Sequence, residues 1–220
     1  MPSIISINQK HPHYPSRLLD LSDAPKEIYC LGNIKALKIP SIAIVGSRKA
    51  SNHGLQYARF FARALANQGF CVVSGLAEGI DSAAHMGALE SNHTIPTIAV
   101  CGTSLDKCYP TQNRFLFEKI NQIGLLISEY PPGTATKPYF FPQRNRLIAA
   151  LSLGTLVVEA APKSGSLITA KCANELGREV FAIPNSISQL SSAGCHQLIK
   201  DGAKLTEKPS DIFDELRFFA

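Results

Sequence analysis

The 220-residue sequence predicts a doubly wound α/β fold on a mainly parallel sheet, and three observations predict it. Short apolar runs recur from Ser41 onward, stretches of helical period separate them, and glycine-bearing turns stand where several runs end. The runs fall at 42–45, 70–73, 97–101, 125–128, 156–158 and 180–183. Each is apolar throughout rather than alternating, as expected of a strand covered on both faces.

Residues 1–40 lack this rhythm. His11-Pro12-His13-Tyr14-Pro15 and Asp23-Ala24-Pro25 punctuate a short helical stretch, so the segment is expected to be a small N-terminal extension packed on a core domain of residues 41–220. After the first run, Leu55, Ala58, Phe60, Phe61, Ala64 and Leu65 form one helical stripe, and Ala83, Ala84, Gly87 and Ala88 a second with small residues for close packing. Further helices are predicted over 113–120, 144–151 and 167–176. Residues 130–142 break the pattern with prolines that exclude both ladder and helix interior. Such loops in compact domains are often functional.

Composition narrows the class. Apolar residues at 45% and charged residues at 18% suit a folded protein and exclude a disordered chain. Six cysteines at 30, 71, 101, 108, 172 and 195 show no C-x-x-C spacing, residues 1–10 lack a signal-like apolar run, and no stretch has the length of a membrane helix. Reduced thiols in the cytoplasm are the expectation, without metal or other cofactor.

Four turns carry the functional signal. Gly46-Ser47-Arg48 follows the first run, Ser74-Gly75 through Asp81 the second and Gly102-Thr103-Ser104 the third, while Lys163-Ser164-Gly165-Ser166 opens the helix near Leu167. Glycine allows close backbone approach, and helix starts attract anions. One such turn is ordinary; four on one predicted sheet edge point to an anion-binding surface. Neither G-x-G-x-x-G nor a P-loop is present, which disfavours ordinary dinucleotide and triphosphate sites.

The chain carries a net charge of +5, and residues 133–172 concentrate Lys137, Arg144, Arg146, Lys163 and Lys171 against Glu159 alone. The same window holds Tyr139, Phe140 and Phe141. Cations along a backbone beside aromatic faces suit single-stranded nucleic acid, with slight sequence preference because every base stacks. Adjacent aromatics on an extended segment face opposite ways, so Phe141 is a candidate core anchor and Phe140 the exposed ring. Catalysis has less support. Asp81 and His85 stand i, i+4 and are read as a local helix-start interaction, and Glu159 is expected to pair with Arg144 or Arg146. G-x-S-x-G is absent.

Taken together, AIVGSRKAS (43–51), VVSGLAEGIDSAAHMGAL (72–89), AVCGTSLDKCYPTQNRFL (99–116), SEYPPG (128–133), FPQRNRLIAALS (141–152), VVEAAPKSGSLITA (157–170) and REVFAIPNSI (178–187) resemble the Rossmann-like core of the DNA processing protein A (DprA, or Smf) family. YPSRLLDLSDAPKEIYCLGN (14–33) extends the resemblance over nearly the whole chain. It implies a cytoplasmic protein of natural transformation, without an enzymatic step, that protects incoming single-stranded DNA and loads the RecA recombinase. By position it implies DNA contacts from Gly46, Ser47, Arg48, Lys137, Phe140, Arg144, Asn145, Arg146, Lys163, Ser164 and Gly165. It also implies a homodimer through the segment 194–205, with His196, Leu198, Ile199 and Leu205 as candidates. The alternatives are a nucleotide sensor on these loops, or a phosphoribohydrolase-like enzyme in which Glu159 acts. The enzyme's usual spacing is missing from Gly154-Thr155-Leu156-Val157-Val158-Glu159.

Overall fold

Unbroken apolar runs need cover on both faces, and the fold supplies it. In the computed structural model, which describes residues 3–216, β1 (Ile5–Asn8), β2 (Glu27–Gly32), β3 (Ser41–Val45), β4 (Cys71–Ser74), β5 (Thr97–Cys101), β6 (Leu125–Ser128), β7 (Gly154–Val157), β8 (Glu179–Ala182) and β9 (Lys204–Leu205) form one sheet. Its order is β1-β2-β6-β5-β4-β3-β7-β8-β9. From β6 to β9 every neighbouring pair is parallel, while β1 and β2 join antiparallel. The helices are α1 (Asn52–Asn67), α2 (Ile80–Leu89), α3 (Arg114–Ile123), α4 (Phe140–Leu151), α5 (Gly165–Glu175), α6 (Ala193–Lys200) and α7 (Ser210–Leu216).

The pleat of β3 shows why its run is continuous. Ile42 and Ile44 pack with Phe61 and Leu65 of α1 and Ala84 of α2, whereas Ala43 and Val45 pack with Leu147 and Ile148 of α4. Fully burying one such isoleucine contributes about 1.5–3 kcal/mol. β4 ends one residue later than predicted because Ser74 stays in the strand, its buried hydroxyl donating to the Ile44 carbonyl at 2.7 Å. On α1 the buried set is Gly54, Ala58, Phe61, Ala62, Leu65 and Ala66, so Phe60 belongs to the solvent side and not to the predicted stripe.

The N-terminal residues extend the sheet. Tyr29 of β2 pairs with Ser128 of β6, and Ile7, Leu18 and Ile28 are fully buried in the core on the α4 side. The other end carries the topological switch. The chain lays β4, β5 and β6 successively to one side of β3, then returns with β7, β8 and β9 on the other. The C-terminal ends of β3 and β7 therefore border the crevice in which such sheets hold ligands.

Candidate functional site

A cavity of about 740 Å³ occupies that crevice. Gly46, Ser47, Arg48 and Lys49 line it from the turn after β3, and Lys163, Ser164, Gly165 and Ser166 from the turn after β7. Two of the four glycine turns picked from sequence thus face each other across one opening. Arg48, Lys49 and Lys163 are exposed, and the carboxyl of Asp81 on the wall is buried. Ser164 caps α5, accepting from the Ser166 amide at 3.4 Å and sharing a 2.8 Å hydrogen bond with the Ser166 hydroxyl. The positive end of α5 adds to the three cations, so the opening favours an anion.

Glu159 shapes the first turn. Its carbonyl accepts from the Ser47 amide at 2.8 Å, and its fully buried carboxylate accepts from the Ser51 amide at 3.0 Å and from the Ser51 hydroxyl. Gly54 leaves room for this carboxylate, since a Cβ there would lie 2.5 Å from Cδ of Glu159. Pairing of Glu159 with Arg144 or Arg146 does not occur: the carboxylate is engaged by the start of α1 and cannot serve as an exposed catalytic group.

The other predicted contacts divide. Phe140, Arg144, Leu147, Ile148 and Leu151 form the inward stripe of α4, which places a guanidinium in the core. Arg144 Nη1 donates to the Gly75 carbonyl at 2.7 Å and to the Val100 carbonyl, and Nε to Asn145 Oδ1 at 3.2 Å. A side chain at Gly75 would collide with this guanidinium. Arg144 borders the cavity, but these bonds give it a scaffolding role across β4 and β5 rather than the freedom of a surface phosphate ligand. Burial lowers its pKa and raises that of Asp81, while their mutual attraction opposes both shifts. Asn145 also lines the cavity, and its amide donates to the Gly165 carbonyl at 3.1 Å, linking α4 to the α5 turn.

Arg146 points elsewhere. It is bound to Asp23 at 2.7 Å and to Glu129 at 2.7 Å, so it clasps the N-terminal segment and does not line the cavity. Phe140 is a second correction. It is only 6% exposed and stacks on Tyr130 at 3.7 Å between ring centroids, with Tyr139 edge-on at 4.9 Å. The segment is not extended here: α4 starts at Phe140, with Pro142 tolerated in its first turn, so Phe140 and Phe141 are about 100° apart rather than opposite. The exposed ring is Tyr139, with Lys137 Nζ 5.8 Å from its centroid, and both stand outside the cavity.

The buried polar groups of α2 complete the frame. Asp81 accepts from the Gly75 amide at 3.1 Å, and His85 Nδ1 lies 2.7 Å from Thr97 Oγ1. These partners replace the predicted local Asp81–His85 interaction. Among the described residues no three His, Cys, Asp or Glu side chains are grouped to hold a metal ion. None of the described helices is long and apolar enough to cross a membrane.

In the C-terminal segment His196 Nε2 is 2.9 Å from the Asn185 carbonyl, and Leu198 and Ile199 pack partly against the core. Leu205 on the edge strand is exposed, as are Ile187 and Leu190, which the sequence reading missed. Their signal was available as apolar residues in the polar stretch 185–192.

Known proteins share this sequence and fold. Protein Smf from Synechocystis is 48% identical over 93% of this chain and 52% of its own length, and Protein Smf from Escherichia coli 45% over 93% and 54%. The chain thus spans about half the length of these two curated relatives. DNA processing protein DprA from Streptococcus pneumoniae is 46% identical over 93% of this chain and 72% of its own, and its crystal structure superposes with a TM-score of 0.92 over 97% and 74% of the two chains at 45% identity. A Helicobacter pylori DprA structure, described for its single-stranded DNA binding mode, has a TM-score of 0.88 at 31% identity and 99% coverage of both chains. Residues 5–217 match the family model for DNA recombination-mediator protein A, so with a shared fold and this extent of identity the chain belongs to the DNA recombination-mediator protein A (DprA/Smf) family.

Proposed function

We propose that this chain binds single-stranded DNA at the β3/β7 crevice and hands it to the RecA recombinase during natural transformation, in the cytoplasm and without catalysing a reaction. The observation that carries this reading is the convergence of Arg48, Lys49, Lys163, the Ser47 and Ser164 turns and the α5 N-terminus on one opening. Phosphates would lie against these groups, with Gly165, beside which a Cβ would meet only open space, allowing close approach and Asn145 holding the α5 turn. Lys137 and Tyr139 form a separate exposed cation–ring pair for strand leaving the crevice. The Helicobacter pylori protein, described for its single-stranded DNA binding mode, and a family described as recombination mediators support this reading.

A homodimer fits the same reading. Leu205 on the open edge of the sheet, with Ile187 and Leu190 exposed, offers an apolar surface to a second copy. Two crevices on one strand would gain avidity without new contacts.

Anisotropy of a labelled oligothymidine, with a mononucleotide as competitor, tests the proposal. Salt-sensitive oligonucleotide binding that Arg48→Ala weakens and a mononucleotide does not displace supports it. A preference for the mononucleotide assigns the crevice to a small-nucleotide sensor instead.

A further inference from the structure

A second cavity, of about 340 Å³, adjoins the first and shares with it Arg48, Ala77, Phe141 and Arg144. Its remaining lining differs in chemistry: Tyr109 and Pro110 bring apolar faces, and Glu78, Thr111 and Gln112 bring polar ends. Tyr109 is half exposed and leans on Phe141, with ring centroids 5.0 Å apart and planes tilted by 39°. A volume in the roughly 300–1,000 Å³ range of small-molecule sites, with an aromatic wall and a few polar groups, suits a planar heterocycle.

Charge separates the two cavities. In the first, Arg48, Lys49 and Lys163 meet the start of α5. In the second, Glu78 opposes an anion, and Arg144 is engaged by the Gly75 and Val100 carbonyls and by Asn145. Arg48 lines both cavities and is offset by Glu78 in the second, whereas Lys49, Lys163 and the α5 start belong to the first alone, so a phosphate is favoured in the first over the second.

Resting on the reading of the crevice as a single-strand site, we infer that the second cavity takes one unpaired base, stacked on Tyr109, and favours a base with an exocyclic amino group over thymine. Arg48, on the shared wall, spans the step from phosphate to base. The Glu78 carboxylate and the Gln112 amide oxygen accept hydrogen bonds. Cytosine N4–H₂ has two protons to donate to such groups, whereas an unpaired thymine presents the O4 acceptor in the same place, which Glu78 repels, and keeps N3–H as its single donor. Stacking elsewhere on the strand accepts every base, so the preference arises at one nucleotide only.

The test compares labelled oligodeoxycytidine and oligodeoxythymidine of equal length, using the whole chain. The unchanged protein binds the cytidine strand several-fold tighter. Tyr109→Ala weakens both by about ten-fold, as one stacked base predicts, and Tyr109→Phe restores them. Glu78→Ala removes the difference between the strands while binding persists. Because Tyr109 and Glu78 are exposed, their variants should keep the thermal midpoint of the parent, and the Glu78 arm stands alone if Tyr109→Ala does not. Equal affinities for the two strands, or full affinity in Tyr109→Ala, overturns the inference and leaves the crevice reading intact. Failure of the unchanged protein to bind either strand overturns both.

Discussion

The Glu159 carboxylate at the end of β7 accepts from both the amide and the hydroxyl of Ser51 at the start of α1. Across that contact the two turns of the crevice are fastened together, since the Glu159 carbonyl also holds the Ser47 amide at 2.8 Å. Glu159→Gln keeps one acceptor oxygen for the Ser51 amide but sets an NH₂ donor against the Ser51 hydroxyl. That hydroxyl oxygen already accepts from the Gly54 amide, so the hydroxyl proton loses its acceptor. The variant is expected to lose about 1–3 kcal/mol in urea unfolding, the usual penalty for an unsatisfied buried group. It should also weaken DNA binding through the displaced Ser47–Lys49 turn, with Arg48 still present. A fully stable Glu159→Gln would remove Glu159 as the anchor of that turn.

Arg144 holds β4 and β5 together from the core. Arg144→Ala frees the Gly75 and Val100 carbonyls and leaves Asp81 buried without its countercharge. The expected loss is about 3–5 kcal/mol by chemical denaturation, and adding Asp81→Asn should recover part of it. Loss of DNA affinity with unchanged stability would assign Arg144 to phosphate instead.

Arg146 is predicted to be a clasp. Arg146→Ala should lower the unfolding midpoint, because Asp23 and Glu129 lose their shared partner, while the salt dependence of DNA binding stays as in the parent. A shallower salt dependence would return Arg146 to the binding surface.

His85 makes stability depend on pH. Thr97 Oγ1 donates to the Val72 carbonyl at 2.6 Å, so it accepts from His85 Nδ1, leaving Nε2 buried, unprotonated and without a partner. Burial first, and then the charge of Arg144, push the His85 pKa down to about 3. Between pH ~6.5, where an unfolded histidine begins to protonate, and the folded value, the unfolded chain binds the extra proton. Stability is therefore full above pH ~6.5 and falls as pH drops, by up to about 1.4 kcal/mol per unit. Thermal melts from neutral to pH ~5 should show this loss, and His85→Asn, which keeps a donor for Thr97, should flatten it.

The parallel half of the sheet was legible because burial on both faces leaves a continuous apolar run, as Ile42 to Val45 show on β3. β1 and β2 were not, since β1 is four residues long with Ile7 alone buried, and its pairing is set across distant segments. Gly46–Arg48 and Lys163–Gly165 were legible as crevice residues because strand order follows from alternation and the turns lie at strand ends. The directions of Arg144, Arg146 and Phe140 were not legible, because charge and aromaticity do not reveal which way a side chain turns. The true start of α4 turns Phe140 and Arg144 inward, and Asp23, over a hundred residues away, claims Arg146. Tyr109 was overlooked as an isolated aromatic whose partner Phe141 is distant in sequence.

The central claim is that Arg48 and Lys163, on turns from two strands of the sheet, grip one DNA backbone. The most direct measurement is the slope of log affinity against log salt for a short single strand, in the parent and in Arg48→Ala/Lys163→Ala. Removing two phosphate contacts should make the slope shallower by about 1.4, at roughly 0.7 per contact on single strands. An identical slope in parent and double variant would contradict the account.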